Sequence, residues 1–349
     1  MLYDFDDLLI EPVSITPIRS RSEVTPYYLN FIEQGVYEHN LPLMTAPMDT
    51  VISDENKHYF KDLGFRVVLP RKQSNEVSYD DFYSYGLNEF DEIFLNNTVD
   101  IPEHEQVFAL IDVANGHMKD LKESTKSAKQ KYGNRLVLMV GNIANPSTFY
   151  EYALTGVDYL RIGIGNGGGC LTTVQTGVGY PMASLIYECN KIKKGNSHIK
   201  TKIVADGGFK KYADVIKALA LGADYVMLGS ILNKTLESCG ETTREDGSVI
   251  DQYSQLALES FNVDIPLYKV FRGMSTKEVQ QSWGRNDLKT SEGVVRKHKV
   301  EYTLQGWTDN FISYLKSAMS YTGKKELPHF IGGVKTNLIS ENSFNRFNK

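Results

Sequence analysis

The chain contains few cysteines and carries no excess of basic charge. Its 349 residues include three cysteines, and their odd number and unpaired spacing make a disulfide framework or a zinc site implausible and favour a reducing compartment. We expect Cys189 and Cys239 to be packing residues. The formal net charge of −5 provides no basic surplus of the kind that nucleic acid attracts. Nucleic acid is therefore not an expected partner.

We also expect no targeting segment and no linker between domains. Residues 1–7 are acidic and lack the basic and apolar regions of a signal peptide. The most apolar later stretch, 215–232, contains Lys217 and Asp224, so it is not expected to cross a membrane. No internal repeat, low-complexity tract or Pro/Ser linker divides the chain. We expect a cytoplasmic protein without a membrane partner, folded as one domain over residues 1–349.

What the sequence does contain is a regular alternation of short apolar runs with segments long enough for a helix. One such segment, Ala213–Leu221, has apolar residues at helical spacing and is followed by Gly222 as a stop. The runs predict strands at Leu41–Thr45, Phe65–Leu69, Val107–Ile111, Leu136–Val140, Tyr159–Ile162, Lys202–Ala205, Tyr225–Leu228 and Leu267–Phe271. Eight strands in a βα rhythm close most economically as an α/β fold of the (β/α)₈ TIM barrel type.

Two segments and the C-terminus fall outside the barrel pattern. The segment 235–263 is polar, and 276–302 is rich in charge, including Arg296–Lys299. Because 276–302 follows the predicted eighth strand, we expect it to be an active-site flap over the barrel mouth; the alternative is a solvated surface excursion. A C-terminal tail is expected from about residue 324.

The chemically most distinctive stretch is the glycine-rich loop 163–173, which contains Cys170. Glycines allow positive φ and close approach of a ligand, and successive N–H groups in such a turn can hold an anion. The loop follows the predicted strand Tyr159–Ile162, where α/β enzymes place their sites. The alternative is a flexible surface loop with an incidental cysteine.

Two further glycine turns follow the predicted sixth and seventh strands. They are Asp206-Gly207-Gly208 and Gly229-Ser230. Barrel enzymes often bind phosphate through the loops after late strands, and an Asp directly before the glycines suits the two hydroxyls of a ribose. Taken singly, each glycine pair is equally consistent with a tight turn.

In these residues the sequence resembles the IMP dehydrogenase and GMP reductase family. The resemblance covers most of the chain in ordered motifs at residues 6–12, 19–22, 42–51, 112–117, 141–142, 163–173, 176–181, 206–208, 228–230, 273–275 and 291–293. It implies the same barrel fold and a purine nucleoside monophosphate as the substrate. It also implies a homotetramer.

The resemblance implies roles for individual residues. Cys170 would attack the purine C2, and Thr172 with Glu292 would protonate the departing amine, so that GMP yields a thioimidate and ammonia before hydride from NADPH gives IMP. The implied substrate-binding residues are Asp49, Gly167, Gly168, Asp206, Gly207, Gly208, Gly229, Ser230, Met274, Ser275 and Gly293. The catalytic residues would then be Cys170, Thr172 and Glu292.

The cofactor residues are less strongly marked. Those implied are Arg71, Lys72, Asp112, Asn115, Gly116 and Ser317; for the Asp112–Gly116 turn the alternative is a capped turn. The sequence has no Gly-x-Gly-x-x-Gly fingerprint of a Rossmann domain. The expected cofactor is NADPH, with NAD as the alternative. Carbonyls of Gly165, Gly167 and Cys170 are a further candidate site for K⁺.

Several features favour a reductase over a dehydrogenase. The stretch 275–292 is short, its arginine Arg285 is followed by Asn286 rather than by tyrosine, and no inserted regulatory domain is visible. The motifs 112–116 and Tyr180-Pro181 also resemble reductases. In contrast, 205–206, 229–230 and 46–48 resemble the dehydrogenases. We favour reductive deamination of GMP or dGMP to IMP or dIMP, with NAD-dependent conversion of IMP to XMP as the alternative.

The sequence departs from the family in the cysteine loop. Gly165-Asn166-Gly167-Gly168 stands where the family has Gly-Pro-Gly-Ser, so a serine hydroxyl expected to contact phosphate is missing. Thr173 stands where the family has arginine. These changes leave a deoxynucleotide or an unusual purine open as the substrate. They also leave open two further functions, an FMN-dependent barrel oxidoreductase and a catalytically silent nucleotide-binding relative.

Overall fold

The computed structural model describes residues 2–32, 36–71, 76–274, 276 and 293–347. Within them the strands are β1 (Leu8–Ile10), β2 (Tyr28–Ile32), β3 (Val36–Asn40), β4 (Leu43–Thr45), β5 (Val68–Leu69), β6 (Phe82–Tyr85), β7 (Val107–Asp112), β8 (Leu136–Ile143), β9 (Tyr159–Ile162), β10 (Lys202–Asp206), β11 (Tyr225–Leu228), β12 (Thr242–Arg244), β13 (Leu267–Arg272), β14 (Val295–Lys299) and β15 (Thr336–Leu338).

The α-helices occupy the connections between these strands. They are Lys57–Asp62, Leu87–Phe90, Lys119–Tyr132, Pro146–Ala153, Thr172–Thr176, Met182–Gly195, Tyr212–Leu221, Ser230–Asn233, Gln255–Asn262, Leu304–Tyr321, Leu327–Phe330 and Glu341–Phe347. Short helical turns of other types lie at Phe5–Asp7, Arg21–Glu23, Asp91–Asn96 and Gly133–Arg135. None of the described helices combines the length and apolarity needed to cross a membrane.

A parallel sheet of eight strands, β4 to β11, forms the (β/α)₈ barrel. From β5 to β11 each strand pairs with the next in chain order, and β11 pairs with β4. The barrel closes between its first two strands, where Met44 bridges Arg66 and the Thr45 hydroxyl donates to the Val68 carbonyl at 3.1 Å. Apolar side chains such as Met44, Leu110 and Met227 fill the interior. The predicted fold class is confirmed, and within the described residues 43–71 and 76–228 no domain is inserted among the barrel strands.

Two assignments within the predicted eight-strand barrel differ from the structure. The strand Phe82–Tyr85 was missed, because Asp81, Ser84 and its tyrosines interrupt the apolar pattern that marks the other strands. The predicted strand at 267–271 exists, but it pairs antiparallel with β12 and β14 outside the barrel. Its residues alternate between buried and partly exposed, as in a sheet with one solvated face, whereas β11 is buried throughout. The turns at 206–208 and 229–230 therefore follow the seventh and eighth barrel strands.

The three-stranded sheet brings part of the predicted flap next to the barrel. Of residues 276–302, the segment 295–299 is strand β14, paired with β13, so the basic run from Arg296 lies on a strand. Residues 277–292 lie outside the described residues. The chain from about 324 contains strand β15, which pairs with β1 near the N-terminus.

Strand β13, outside the barrel, contains a buried lysine. The Lys269 side chain is 0% exposed, and its Nζ donates to the Ser238 carbonyl. Burial lowers the pKa of Lys269 to about 7, against the smaller opposing effects of Cys239 and Glu237. We therefore expect Lys269 to make the stability of the protein depend on pH.

We expect Phe82→Ala to lower the free energy of unfolding by about 3–5 kcal/mol, as is usual for removal of a buried phenyl ring. Phe82 is 0% exposed, with ring centroids 5.4 Å from those of Phe108 and Tyr159. Chemical denaturation measures the effect. Leu154→Ala, at a 53% exposed position, is the control; equal effects of the two changes would show that Phe82 is not part of the barrel core.

We expect Lys269→Met to stabilise the protein more at pH 7 than at pH 9.5. Unfolded lysine has a pKa of about 10.4, so between about pH 7 and 10 the unfolded chain binds the extra proton and wild-type stability rises with pH. The advantage of the variant should shrink by roughly 3 kcal/mol over this range. Denaturation at both pH values, with exposed Lys297→Met as the control, measures it; an advantage independent of pH would contradict the buried neutral amine.

Candidate active site

A cavity of about 890 Å³ opens at the carboxyl ends of the barrel strands. This is the end at which barrel enzymes place their chemistry, because the loops after the strands converge there. The residues predicted from the sequence that line it are Arg71, Asp112, Asn115, Gly165, Gly167, Gly168, Cys170, Thr172, Asp206, Gly207, Gly208, Gly229, Ser230 and Met274. The fold therefore gathers residues from distant parts of the chain into one site.

Cys170 lies in this cavity with its side chain partly exposed. Its Sγ donates to Thr172 Oγ1 at 3.3 Å, and its backbone N–H donates to the Gly167 carbonyl at 3.0 Å. Thr172 is the first residue of the helix Thr172–Thr176. The loop thus presents a thiol and a hydroxyl in hydrogen-bonding contact, a pairing suited to nucleophilic attack coupled to proton transfer.

Gly169, Gly273 and Gly293 lie close together next to Cys170. Cys170 forms an antiparallel bridge with Gly293, and the Val294 N–H donates to the Gly169 carbonyl at 3.2 Å. A Cβ on Gly273 would lie 2.3 Å from the Gly169 oxygen and 3.1 Å from the Gly293 Cα. A side chain at Gly169 or Gly273 would force the strands apart. Glycine at these two positions therefore allows the chain at Gly273 and Gly293 to lie close to the cysteine loop.

The glycine turns pack against the cysteine loop. A Cβ on Gly207 would lie 3.0 Å from the Gly167 Cα, and one on Gly168 would lie 3.6 Å from Ser230 Oγ. Gly207 and Gly208 have φ values of +80° and +88°, a region that favours glycine. Within the described chain, the backbone N–H groups of Gly168, Gly208 and Ser230 donate no hydrogen bond. They form a set of amide donors that an anion can accept.

A chain of charges links two sides of the cavity. Arg161 Nε donates to Asp206 Oδ2 at 3.0 Å, and Arg161 Nη1 donates to Asp112 Oδ1 at 2.7 Å. Asn142 Nδ2 also donates to Asp206 Oδ2, at 2.7 Å, and Arg71 Nε lies 3.8 Å from Asp112 Oδ2. Burial alone would lower the pKa of Arg161, but the two carboxylates raise it above its usual value. Arg161 therefore remains charged and holds both carboxylates in place.

The far side of the cavity is more mixed in character. Arg71, Leu87, Glu89, Asn115 and Met118 line it. Burial raises the pKa of Glu89, whose Oε2 accepts the Gly86 N–H at 3.0 Å. The Asn115 side chain accepts the His117 N–H at 3.1 Å, so this predicted cofactor residue also caps its own turn. Apolar, amide and charged groups are available here to a second ligand.

Some predicted site residues are not part of the described cavity lining. Asp49 accepts a hydrogen bond from Arg272 Nε at 3.2 Å, and Gly116 packs against Asn142, whose oxygen would lie 2.5 Å from an added Cβ. Ser317 lies on the helix Leu304–Tyr321. The predicted residues Lys72, Ser275 and Glu292 lie outside the described residues.

Arg161 and Asn142 were not predicted as site residues. The signal for Arg161 was a single cation inside the apolar strand Tyr159–Ile162. A charge in a buried barrel strand needs a partner. Asp206 ends the adjacent strand β10, and Asp112 ends β7, which lies two strands away on the other side of β8. Asn142 belongs to the resemblance motif 141–142, but its contact with Asp206 could not be predicted because it depends on the barrel register that places β8 beside β9.

Comparison with known proteins agrees with this geometry. Residues 99–346 match the family model described as "IMP dehydrogenase / GMP reductase domain". GMP reductase 2 of Homo sapiens is 28% identical over 342 residues, covering 93% of this chain and 90% of the human protein. GMP reductase of Vibrio atlanticus (strain LGP32) is 32% identical over 290 residues, covering 77% of this chain and 81% of the relative. The sequence resemblance is thereby confirmed, and the chain belongs to the IMP dehydrogenase/GMP reductase family.

Proposed function

We propose that this protein catalyses NADPH-dependent reductive deamination of GMP or dGMP, giving IMP or dIMP and ammonia. The observation that carries the proposal is the Cys170–Thr172 hydrogen bond of 3.3 Å inside the cavity. The names of the relatives, GMP reductase in human and Vibrio proteins, support this direction of reaction. The short 275–292 stretch supports it as well.

The nucleotide is held by its phosphate and sugar. The N–H groups of Gly168, Gly208 and Ser230 supply donors for the phosphate, with Gly167, Gly207 and Gly229 in the same turns. The described hydrogen bonds of the Asp206 carboxylate both use Oδ2. Its Oδ1 is then the acceptor for sugar hydroxyls.

The chemistry begins at the guanine C2. Cys170 thiolate attacks C2, and the C2–N bond to the amino group breaks as Thr172, acting with Glu292, delivers a proton to the departing ammonia. A thioimidate on Cys170 remains. Hydride addition at C2 followed by cleavage of the C–S bond releases IMP and restores the thiolate. Gly293 is paired with Cys170, which supports the assignment of its chain neighbour Glu292 to this step.

The far side of the cavity fits a nicotinamide cofactor. NADPH, when bound, supplies the hydride. Arg71 and Asn115 offer polar contacts there beside the apolar Leu87 and Met118, and Asp112 is fixed by Arg161. We assign Lys72, Gly116 and Ser317 to this cofactor on the family resemblance alone.

Further assignments rest on composition and resemblance. We propose a homotetramer in the cytoplasm, from the family resemblance and the cysteine content. The candidate K⁺ site offers only three carbonyl oxygens, those of Gly165, Gly167 and Cys170. The Gly167 carbonyl already accepts a hydrogen bond from the Cys170 N–H. Oxygen-bound hard cations take about six ligands or more, so these residues alone do not complete a K⁺ site and no step is assigned to it. Asp49, Met274 and Ser275 are kept as substrate-binding proposals.

Absorbance at 340 nm tests the proposed function. Purified protein receives NADPH with GMP or dGMP in one series and NAD with IMP in another. Loss of NADPH with GMP or dGMP is the expected result and identifies the sugar preference. Appearance of NADH with IMP would instead assign the dehydrogenase reaction, and silence in both series would contradict the proposal.

We expect Cys170→Ala to lower kcat by about a thousandfold or more, because the covalent step then has no nucleophile. NADPH oxidation with saturating GMP measures the loss. Cys189→Ala is the control, since Cys189 is buried in the helix Met182–Gly195 away from the cavity. Turnover near the wild-type rate in Cys170→Ala would refute covalent catalysis at this residue.

We expect Glu292→Gln to lower kcat by roughly a hundredfold or more through loss of proton transfer to the departing amine. Nucleotide binding, followed by calorimetry with GMP, should persist. Glu301→Gln serves as the matched change at a carboxylate paired with Lys234. Loss of GMP binding in Glu292→Gln would make Glu292 a base-recognition residue instead.

A further inference from the structure

The short helix that carries Thr172 lacks a hydrophobic anchor. None of the residues in Thr172–Thr176 is buried, and Val174 is 79% exposed. Helices this short are unstable by themselves, because the nucleation cost is not repaid by propagation. Something other than apolar packing must hold Thr172 at hydrogen-bonding distance from the Cys170 thiol.

Thr173 supplies a polar attachment for this helix. Its Oγ1 lies 2.7 Å from the Val178 carbonyl and 3.1 Å from the Ile164 carbonyl. Ile164 lies before Cys170 in the loop, and Val178 lies after the helix. A hydroxyl carries one proton, so Thr173 donates to one carbonyl at a time while its position spans both. The hydroxyl therefore joins the entry and the exit of the segment that contains Cys170 and Thr172.

Two glycines leave the space that this hydroxyl occupies. A Cβ on Gly165 would lie 1.7 Å from Thr173 Oγ1, and one on Gly179 would lie 2.7 Å from it. Gly165 also has a φ of +80°, which disfavours any side chain. The site is thus closely fitted to a small hydroxyl side chain.

We propose that Thr173 is a positioning residue for catalysis. Its hydroxyl fixes the helix Thr172–Thr176 so that Thr172 Oγ1 stays in contact with the Cys170 thiol. Thr173 itself does not line the cavity, so it acts through its neighbour. Its effect on turnover rests on the proposed function, whereas its effect on the loop does not.

The test compares Thr173→Val, which removes the hydroxyl at nearly constant shape, with Thr173→Ser, which keeps it. Hydrogen exchange of the full-length protein over residues 171–178 should be about tenfold faster in Thr173→Val, as expected for loss of one hydrogen bond. The kcat for GMP reduction should fall about tenfold or more, with KM for GMP changed by less than about threefold. Thr173→Ser should restore both values.

Thr201→Val is the matched control. Thr201 Oγ1 donates to the Val157 carbonyl at 2.8 Å from a buried position before β10, at the opposite end of the barrel. This change should leave kcat and exchange over 171–178 unaltered.

Unchanged hydrogen exchange over residues 171–178 in Thr173→Val would show that the Thr173 hydroxyl does not hold the helix in place. Faster exchange with unchanged kcat, or a serine variant as impaired as the valine variant, would overturn the positioning role. If wild-type protein shows no GMP-dependent oxidation of NADPH, the proposed function fails, while the exchange data still decide whether Thr173 holds the loop.

Discussion

The organisation of the cavity depends on one buried guanidinium, that of Arg161. It extends from the sixth barrel strand to carboxylates at the ends of the fourth and seventh strands, 2.7 Å from Asp112 and 3.0 Å from Asp206. Removing one member of a buried ion network leaves a charge without its partner, which commonly costs about 3–5 kcal/mol. The same contacts that satisfy Arg161 therefore set the positions of the groups assigned to the sugar and to the cofactor.

A second constraint is steric, and it brings the thiol to this prepared cavity. Gly169, Gly273 and Gly293 approach so closely that a Cβ on Gly273 would overlap the Gly169 carbonyl. The antiparallel sheet outside the barrel delivers two of these glycines, since they adjoin β13 and β14. The barrel supplies the groups proposed to bind the nucleotide, while the added sheet places Gly273 and Gly293 beside the cysteine loop. Hydrogen bonding by Thr173 is proposed to give the exposed helix Thr172–Thr176 a fixed orientation next to them.

The sequence predicts most of this arrangement where chemistry and strand ends coincide. Asp206 and Ser230 lie at or just after the ends of apolar runs, and the loop that holds Cys170 begins at the end of another, so their convergence follows from the barrel geometry. Phe82–Tyr85 was missed because its polar residues hide a barrel strand, and Leu267–Phe271 was placed in the barrel because an alternating strand resembles a short apolar run.

The remaining features depend on contacts between segments far apart in the chain. The pairing of Cys170 with Gly293 and the bridging by Arg161 require the register of the folded sheets, which local patterns do not contain. The hydrogen bonding of the Thr173 hydroxyl likewise cannot be predicted from the sequence, because it depends on the fold that brings Ile164 and Val178 together. Lys72, Ser275 and Glu292 stay predictions.

In the proposed reaction, hydride reaches the purine C2 after the amino group has left. The most direct measurement uses NADPH deuterated at the transferring position, with GMP as substrate, and analyses the nucleotide product by proton NMR and mass spectrometry. We expect IMP with one deuterium at C2, formed together with ammonia. An IMP product without deuterium at C2, or a nucleotide that retains the amino group, would contradict it.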